Sequence, residues 1–256
     1  MVFKEIDEKE MNEIIASTGF DYDLLVKDYY ITILLYLMRD IRGIFFKGGT
    51  ALQKTIFDYS RISEDIDFTL DRDVHSVKED IINSIKVSKI FGPINKDKDV
   101  DEFTRLVVPY NTELSRGSIF IDLNERGKLL LRPDNLKMKH FYPNIPEFTF
   151  PCLDTREMIA EKVAASIGRN KPRDHYDIYQ IIRHKLPIDM SIVEEKCRLS
   201  GYDPDILDMF KKAKKLHKRW KEDMEPLLVD PISYEEVMRT LSRYFIKGDD
   251  SIDSED

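Results

Sequence analysis

Asp65 and Asp67 stand two residues apart in a run that also holds Ile66, Phe68 and Leu70. In a β-strand that spacing sends both carboxylates out from one face. Carboxylates crowded on one side repel unless a cation lies between them. Mg²⁺ suits such a pair, because it takes one or two protein carboxylates and completes its octahedron with water and substrate phosphates. A second chemically suggestive group lies upstream, where Gly48-Gly49-Thr50 separates the apolar run Ile44–Phe46 from the helical periodicity of Ala51–Phe57. A strand, a glycine turn and a helix start are the parts of an anion cradle. Backbone N–H groups are unpaired at a helix start, two glycines allow a phosphate to come close, and Thr50 adds a hydroxyl donor. A triphosphate at Gly48, Gly49 and Thr50 would meet metal held by Asp65 and Asp67.

Asp122 is the third acid of interest. In the segment Ser118–Asn124, Ile119, Ile121 and Leu123 alternate with Phe120 and Asp122, and a lone Asp in an apolar strand is costly to bury unless it is paired or bound to a cation. It is read as a third metal-holding carboxylate, with a satisfied structural Asp near a strand end as the alternative.

Taken together, Gly48-Gly49-Thr50-Ala51-Leu52 followed by Arg61, Ser63, Asp65, Ile66, Asp67 and Phe68 resembles the DNA polymerase beta-like nucleotidyltransferases. Within them it is similar to the AbiEii-type nucleotidyltransferase toxins, whose signature reads Gly-Gly-Thr-Ala-Leu and then Arg-x-Ser-x-Asp-[Ile/Leu]-Asp-[Phe/Leu]. The resemblance extends to Glu161-Lys162 and to Pro172-Arg173-Asp174-His175-Tyr176-Asp177, and covers about residues 40 to 185. It implies an α+β fold, a polymerase beta-like core of mixed sheet and helices followed by a helical C-terminal domain. The implied reaction moves a nucleoside monophosphate from an NTP to an acceptor hydroxyl, with two Mg²⁺ ions (or Mn²⁺) at Asp65, Asp67 and Asp122. Arg61 and Ser63 would fix the carboxylate strand or touch phosphate. Lys162 and Asp177 would belong to the active cleft, facing the metal across the domain junction. There Lys162 would neutralise the triphosphate and Arg173 would join the nucleotide-binding set. Read from the residues alone, Lys162/Asp174 and Arg173/Asp177 could equally be ion pairs tying two helices together.

The elements that must position these groups can be read in order. Residues 2–17 and 22–41 are expected to be helices, the second with a broad apolar surface that packs across a sheet. Another helix is expected over 74–87, a solvated charged loop over 95–102, and a hairpin of 104–110 with 118–124. Leu129–Leu131 is expected as a short strand and Arg132–Asn135 as its turn. Prolines 143, 146 and 151 stiffen the stretch that ends the first domain. The expected division is a nucleotidyltransferase domain over 1–150, a helical domain over 151–248 and a disordered acidic tail over 249–256. Asp154 and Glu157 have capping-box spacing at the start of a helix to Ile167, and a last helix spans 233–244. The segment Lys211–Lys221 clusters cations around Trp220. This suits phosphate contact and base stacking, or a solvated helix face with the indole in the core.

With 40 Lys/Arg against 48 Asp/Glu the chain carries a formal charge of −8, which argues against indiscriminate coating of DNA. The balance is uneven, for residues 151–248 hold 19 Lys/Arg against 17 Asp/Glu. The second half is therefore the expected nucleic-acid face. Cys152 and Cys197 form no disulfide or zinc framework and fit a reducing, cytoplasmic setting. The apolar run Ile31–Met38 is too short to span a bilayer, which needs about 20 residues. The resemblance implies the tRNA 3′ end as acceptor, growth arrest in a toxin–antitoxin (abortive infection) system as outcome, and a cognate antitoxin as partner. Transfer to a protein side chain or small molecule, and a silent nucleotide-binding module, are the competing readings.

Overall fold

Capping sets the first elements. Asp7 accepts from the Glu10 amide at 2.8 Å to start α1 (Glu8–Thr18), and Gly19 ends it at φ 78°. Asp21 likewise starts α2 (Tyr22–Met38), which is buried around most of its circumference, as a helix packed on several sides must be. The computed structural model describes residues 6–112, 115–169 and 171–248. The expected acidic tail at 249–256 lies outside the described residues, as do residues 2–5 of the first expected helix.

The chain divides into two units, Met1–Asp154 and Thr155–Asp256. In the first, β1 (Ile44–Lys47) leads into α3 (Gly48–Leu52), which continues as a π turn over Gln53–Phe57. Then follow β2 (Asp65–Leu70), α4 (Val74–Ser88), β3 (Asn95–Val100), β4 (Phe103–Asn111), β5 (Arg116–Asn124), β6 (Asp134–Lys137) and β7 (Thr149–Cys152). They make one mixed sheet in the order β3-β4-β5-β2-β1-β7-β6, with β2 parallel to β5 and antiparallel to β1. Strand alternation gives the sheet two unlike faces. Ile66, Phe68, Leu106, Val108, Ile119, Ile121 and Leu123 are buried, on the side packed by α2 and α4. The residues between them, Asp65, Asp67, Arg105, Phe120 and Asp122, leave from the other side.

The charged stretch read as a loop forms β3, an edge strand exposed at all six residues. Dense charge on an edge is how sheets avoid pairing with other chains, so a loop-like composition conceals a strand. The short strand expected at Leu129–Leu131 is absent, and Asp134–Lys137, within and beyond the expected turn, pairs with β7 instead. In a four-residue edge strand the backbone partner decides the pairing, and side-chain pattern says little.

The second unit contains α5 (Thr155–Gly168), α6 (Pro172–Arg183), α7 (Met190–Leu199), a 3₁₀ turn at Ile206–Phe210, α8 (Ala213–Met224) and α9 (Tyr234–Ser242). Val163, Ile167, Tyr179, Cys197, Trp220 and Leu241 belong to its common core. Trp220 is 5% exposed and its indole N–H donates to the Ile232 carbonyl at 2.9 Å. The core reading therefore holds and the stacking reading does not. Among the described residues no helix is long and apolar enough to cross a membrane.

Candidate active site

Asp65 and Asp67 lie in β2, at the middle of the sheet, and register fixes what stands beside them. Asp67 is opposite Asp122 of β5 and opposite Lys47 of β1. Asp122 in turn is opposite Arg105 of β4. Paired residues share a face, so Lys47, Asp65, Asp67, Asp122 and Arg105 form one charged row across four strands.

The glycine turn is bound to this row. Gly48 has φ +81°, and a Cβ there would collide with the Asp67 carboxylate. Only glycine satisfies both the left-handed backbone and the close approach. A Cβ on Gly49 would sit 2.7 Å from Nη2 of Arg61 and 3.0 Å from Oγ of Ser63. Arg61 is 1% exposed, with Nη1 donating to the Ile62 carbonyl at 2.9 Å. The Arg61 amide and the Ser60 hydroxyl both donate to Oε1 of Gln53, at 3.2 and 3.0 Å. Arg61 is thus packed against the turn. Thr50 is equally buried, and its hydroxyl donates to the backbone carbonyl of Asp65. This bond joins the glycine turn to the carboxylate strand.

Asp122 is held by Arg105, with Nε to Oδ1 and Nη2 to Oδ2 both at 2.7 Å. This fork geometry is the strongest form of a carboxylate pair. The hydrogen bond to Asp122 holds the Arg105 guanidinium above its already high range, and Asp65 adds to the effect. Among the described residues no group of three His, Cys, Asp or Glu side chains is gathered as a metal site. Asp65 and Asp67 share this face with Asp122, and one or two such carboxylates is the number that Mg²⁺ takes.

A second charged group lies within the helical unit. Lys162 Nζ is 3.2 Å from Asp174 Oδ1 and 2.9 Å from Asp177 Oδ2, all three side chains being buried. Arg169 adds a fork to Asp174, with both bonds at 2.8 Å. Burial pushes the Asp174 carboxyl up, but the Lys162 and Arg169 cations more than reverse this and hold it well below the usual carboxylate range. The Lys162/Asp174 pairing weighed from the sequence is present. Glu157, read as a cap, is fully buried and pairs with Lys196 at 2.5 Å. Arg173 lies in the first turn of α6.

Sequence reasoning missed Lys47, Gln53, Arg105 and Arg169. Arg105 could have been found, because period-2 counting in the expected hairpin places it on the face of Asp122. Gln53 carried no signal, since its role depends on a turn that returns to it.

Comparison with known proteins follows the same lines. A search of curated proteins finds no match. Among solved structures, the chain is similar to JHP933 from Helicobacter pylori, with TM-score 0.61 and 18% identity over 87% of this chain and 90% of that one. It is similar also to MenT4, a nucleotidyltransferase toxin from Mycobacterium tuberculosis, with TM-score 0.61 and 18% identity over 93% of this chain and 98% of that one. At that identity the likeness speaks for the fold. The sequence itself matches the family described as "Nucleotidyl transferase AbiEii toxin, Type IV TA system" over residues 40–242. That span includes the glycine turn, the Asp65/Asp67 strand and the Lys162 cluster, and the chain belongs to the AbiEii family of nucleotidyltransferase toxins of type IV toxin–antitoxin systems.

Proposed function

We propose that this nucleotidyltransferase transfers a nucleoside monophosphate from an NTP to the 3′ end of tRNA in a divalent-metal-dependent reaction. The observation that carries the reading is the coupling of Gly48–Thr50 to the Asp65/Asp67 strand through the Thr50–Asp65 hydrogen bond and the Gly48–Asp67 approach. A phosphate cradle and a carboxylate pair joined this closely act on the same phosphate chain. In the transfer, the acceptor hydroxyl gives up its proton to solvent as its oxygen bonds to the α-phosphorus, the bond to the bridging oxygen breaks, and pyrophosphate leaves with that electron pair. Mg²⁺, or Mn²⁺, held by Asp65 and Asp67 with Asp122 as the third carboxylate, would supply counter-charge to the triphosphate and the entering oxygen. Gly48 and Gly49 offer backbone to the β- and γ-phosphates, while Thr50, Arg61, Ser63 and Gln53 keep turn and strand in register. Lys47, opposite Asp67, is a further cation on this face. In the helical unit Lys162, Arg173 and Asp177 serve nucleotide handling. A cognate antitoxin and an NTP are the partners a toxin of this family implies.

The deciding experiment incubates purified protein with total tRNA, Mg²⁺ and each α-³²P-labelled NTP in turn, beside an Asp67→Ala control. Label on tRNA that falls at least about 100-fold in the control is the expected result. Label on protein or on a small molecule instead would replace tRNA as acceptor, and no label on anything would leave a binding module.

A further inference from the structure

The lysines on the outer face of α8 are not needed by the fold. Leu216, Trp220 and Met224 are the buried residues of this helix, and at i, i+4, i+8 they form its inward stripe. Lys214, Lys218 and Lys221 stand at i, i+4, i+7 and form a second, exposed stripe. Neighbouring charges are answered within the unit. Lys211 pairs with Asp208 and lies 3.8 Å from Asp205, Arg219 is 2.6 Å from Asp223, and His217 is 3.2 Å from Glu235. The side chains of Lys214, Lys218 and Lys221, and of the flanking Lys212 and Lys215, form no ion pair or hydrogen bond with any described residue. Glu222 and Glu225, four residues beyond Lys218 and Lys221, are exposed and reach neither.

Helix physics makes this placement unfavourable twice over. Like charges at i, i+4 oppose helix formation. Lys214 and Lys215 also lie in the first turn, at the positive end of the helix dipole, and Lys212 caps the helix without a side-chain hydrogen bond. Cations placed where they weaken their own helix point to an anion from outside.

The kind of anion follows from what the stripe lacks. Trp220 is turned into the core, Arg219 is engaged, and the stripe offers point charges on flexible stems over roughly 10 Å of helix. Protein interfaces need an apolar centre and are depleted in lysine. A row of lysines without an apolar anchor suits a phosphate backbone, held without regard to sequence. We propose that Lys214, Lys218 and Lys221 form the surface that grips the phosphate backbone of an RNA acceptor. The inference rests on the reading of RNA as acceptor but is tested apart from transfer.

The test is fluorescence anisotropy of fluorescein-labelled tRNA with the full chain and no NTP, from low to moderate salt. The wild type is compared with the triple variant Lys214→Gln/Lys218→Gln/Lys221→Gln. The plot of log affinity against log salt should become shallower by about 2 in the triple variant, with affinity at low salt falling at least about tenfold. Circular dichroism should show unchanged helix content and an equal or higher Tm, since the removed charges opposed the helix. Unchanged affinity and slope would overturn the proposal, as would a wild type that ignores tRNA and binds polyglutamate through the same lysines. If binding behaves as expected but no NTP labels tRNA, the transfer reading fails while this surface stands.

Discussion

At the scale of single residues, the site is a problem in charge compensation. Three carboxylates on neighbouring strands would repel, and Arg105 answers one of them with a fork of two 2.7 Å bonds. Arg105 is partly exposed, so the pair contributes only about 1 kcal/mol of stability. The fork also fixes the orientation of the Asp122 carboxylate. Arg105→Gln is expected to lower the Tm of the metal-free protein by about 2–4 °C. It should also enlarge the Tm increase on adding Mn²⁺ or Mg²⁺, because the ion no longer competes with Arg105 for the Asp122 carboxylate. Thermal melts with and without metal check both halves, and an Mn²⁺-induced shift that does not grow would remove Asp122 from the metal set. The sequence showed the three acids but not the arginine beside them. Asp65 and Asp67 are legible because strand period alone puts them on one face. The Asp122–Arg105 fork needs the register between two strands, which a single chain of letters displays only when the hairpin is counted outward from its turn.

At the scale of elements, what was legible depended on how far each element's cause lies along the chain. α2 and α4 are set by local caps and apolar stripes, and their positions could be read. β3 could not, because its charged residues serve the edge of a sheet whose existence is a tertiary fact. The α5–α6 pair shows a third case, for its join is electrostatic. Lys162 from α5 lies between Asp174 and Asp177 of α6, and the depressed Asp174 carboxyl makes that join sensitive to acid. A carboxylate whose folded pKa lies below its unfolded value, about 3.9, adds stability that is complete above that value. The contribution is lost as pH falls from there through the lower folded value. Asp174→Asn should therefore cost roughly 3 kcal/mol at neutral pH, where it leaves Lys162 and Arg169 short of a partner. It should also flatten the pH dependence of stability below about pH 4. Urea titrations from pH 7 to pH 3 measure both. A variant as acid-sensitive as the wild type would show that Asp174 is not the group that titrates.

At the scale of the whole molecule, each unit carries its own core and its own buried thiol. Cys152 lies in β7 of the sheet and Cys197 in α7 of the helical unit, both fully buried. Burial pushes the Cys152 thiol up to about 12 and raises that of Cys197 as well, so neither forms a thiolate at neutral pH. Reaction with a thiol reagent then requires the surrounding core to open. In native buffer both should resist iodoacetamide and become reactive only with denaturant, which peptide mapping after timed labelling can follow for each thiol separately. A substitution in one core gives the sharper form of the prediction. In the first unit, Lys54 is fully buried and bonded to Asp28 and Thr32 at 2.8 Å each and to the Tyr59 hydroxyl at 2.6 Å. The Tyr142 hydroxyl completes the group by donating to Asp28 at 3.0 Å. Removing one member of a satisfied buried ion pair leaves the other charge uncompensated, at a cost of about 3–5 kcal/mol. Lys54→Ala should accordingly raise the labelling rate of Cys152 by about 100-fold or more, since about 1.4 kcal/mol corresponds to a factor of ten in the open population. Labelling of Cys152 at the wild-type rate would mean that β7 opens without disturbing the Lys54 group, and the sheet would then not be one cooperative body.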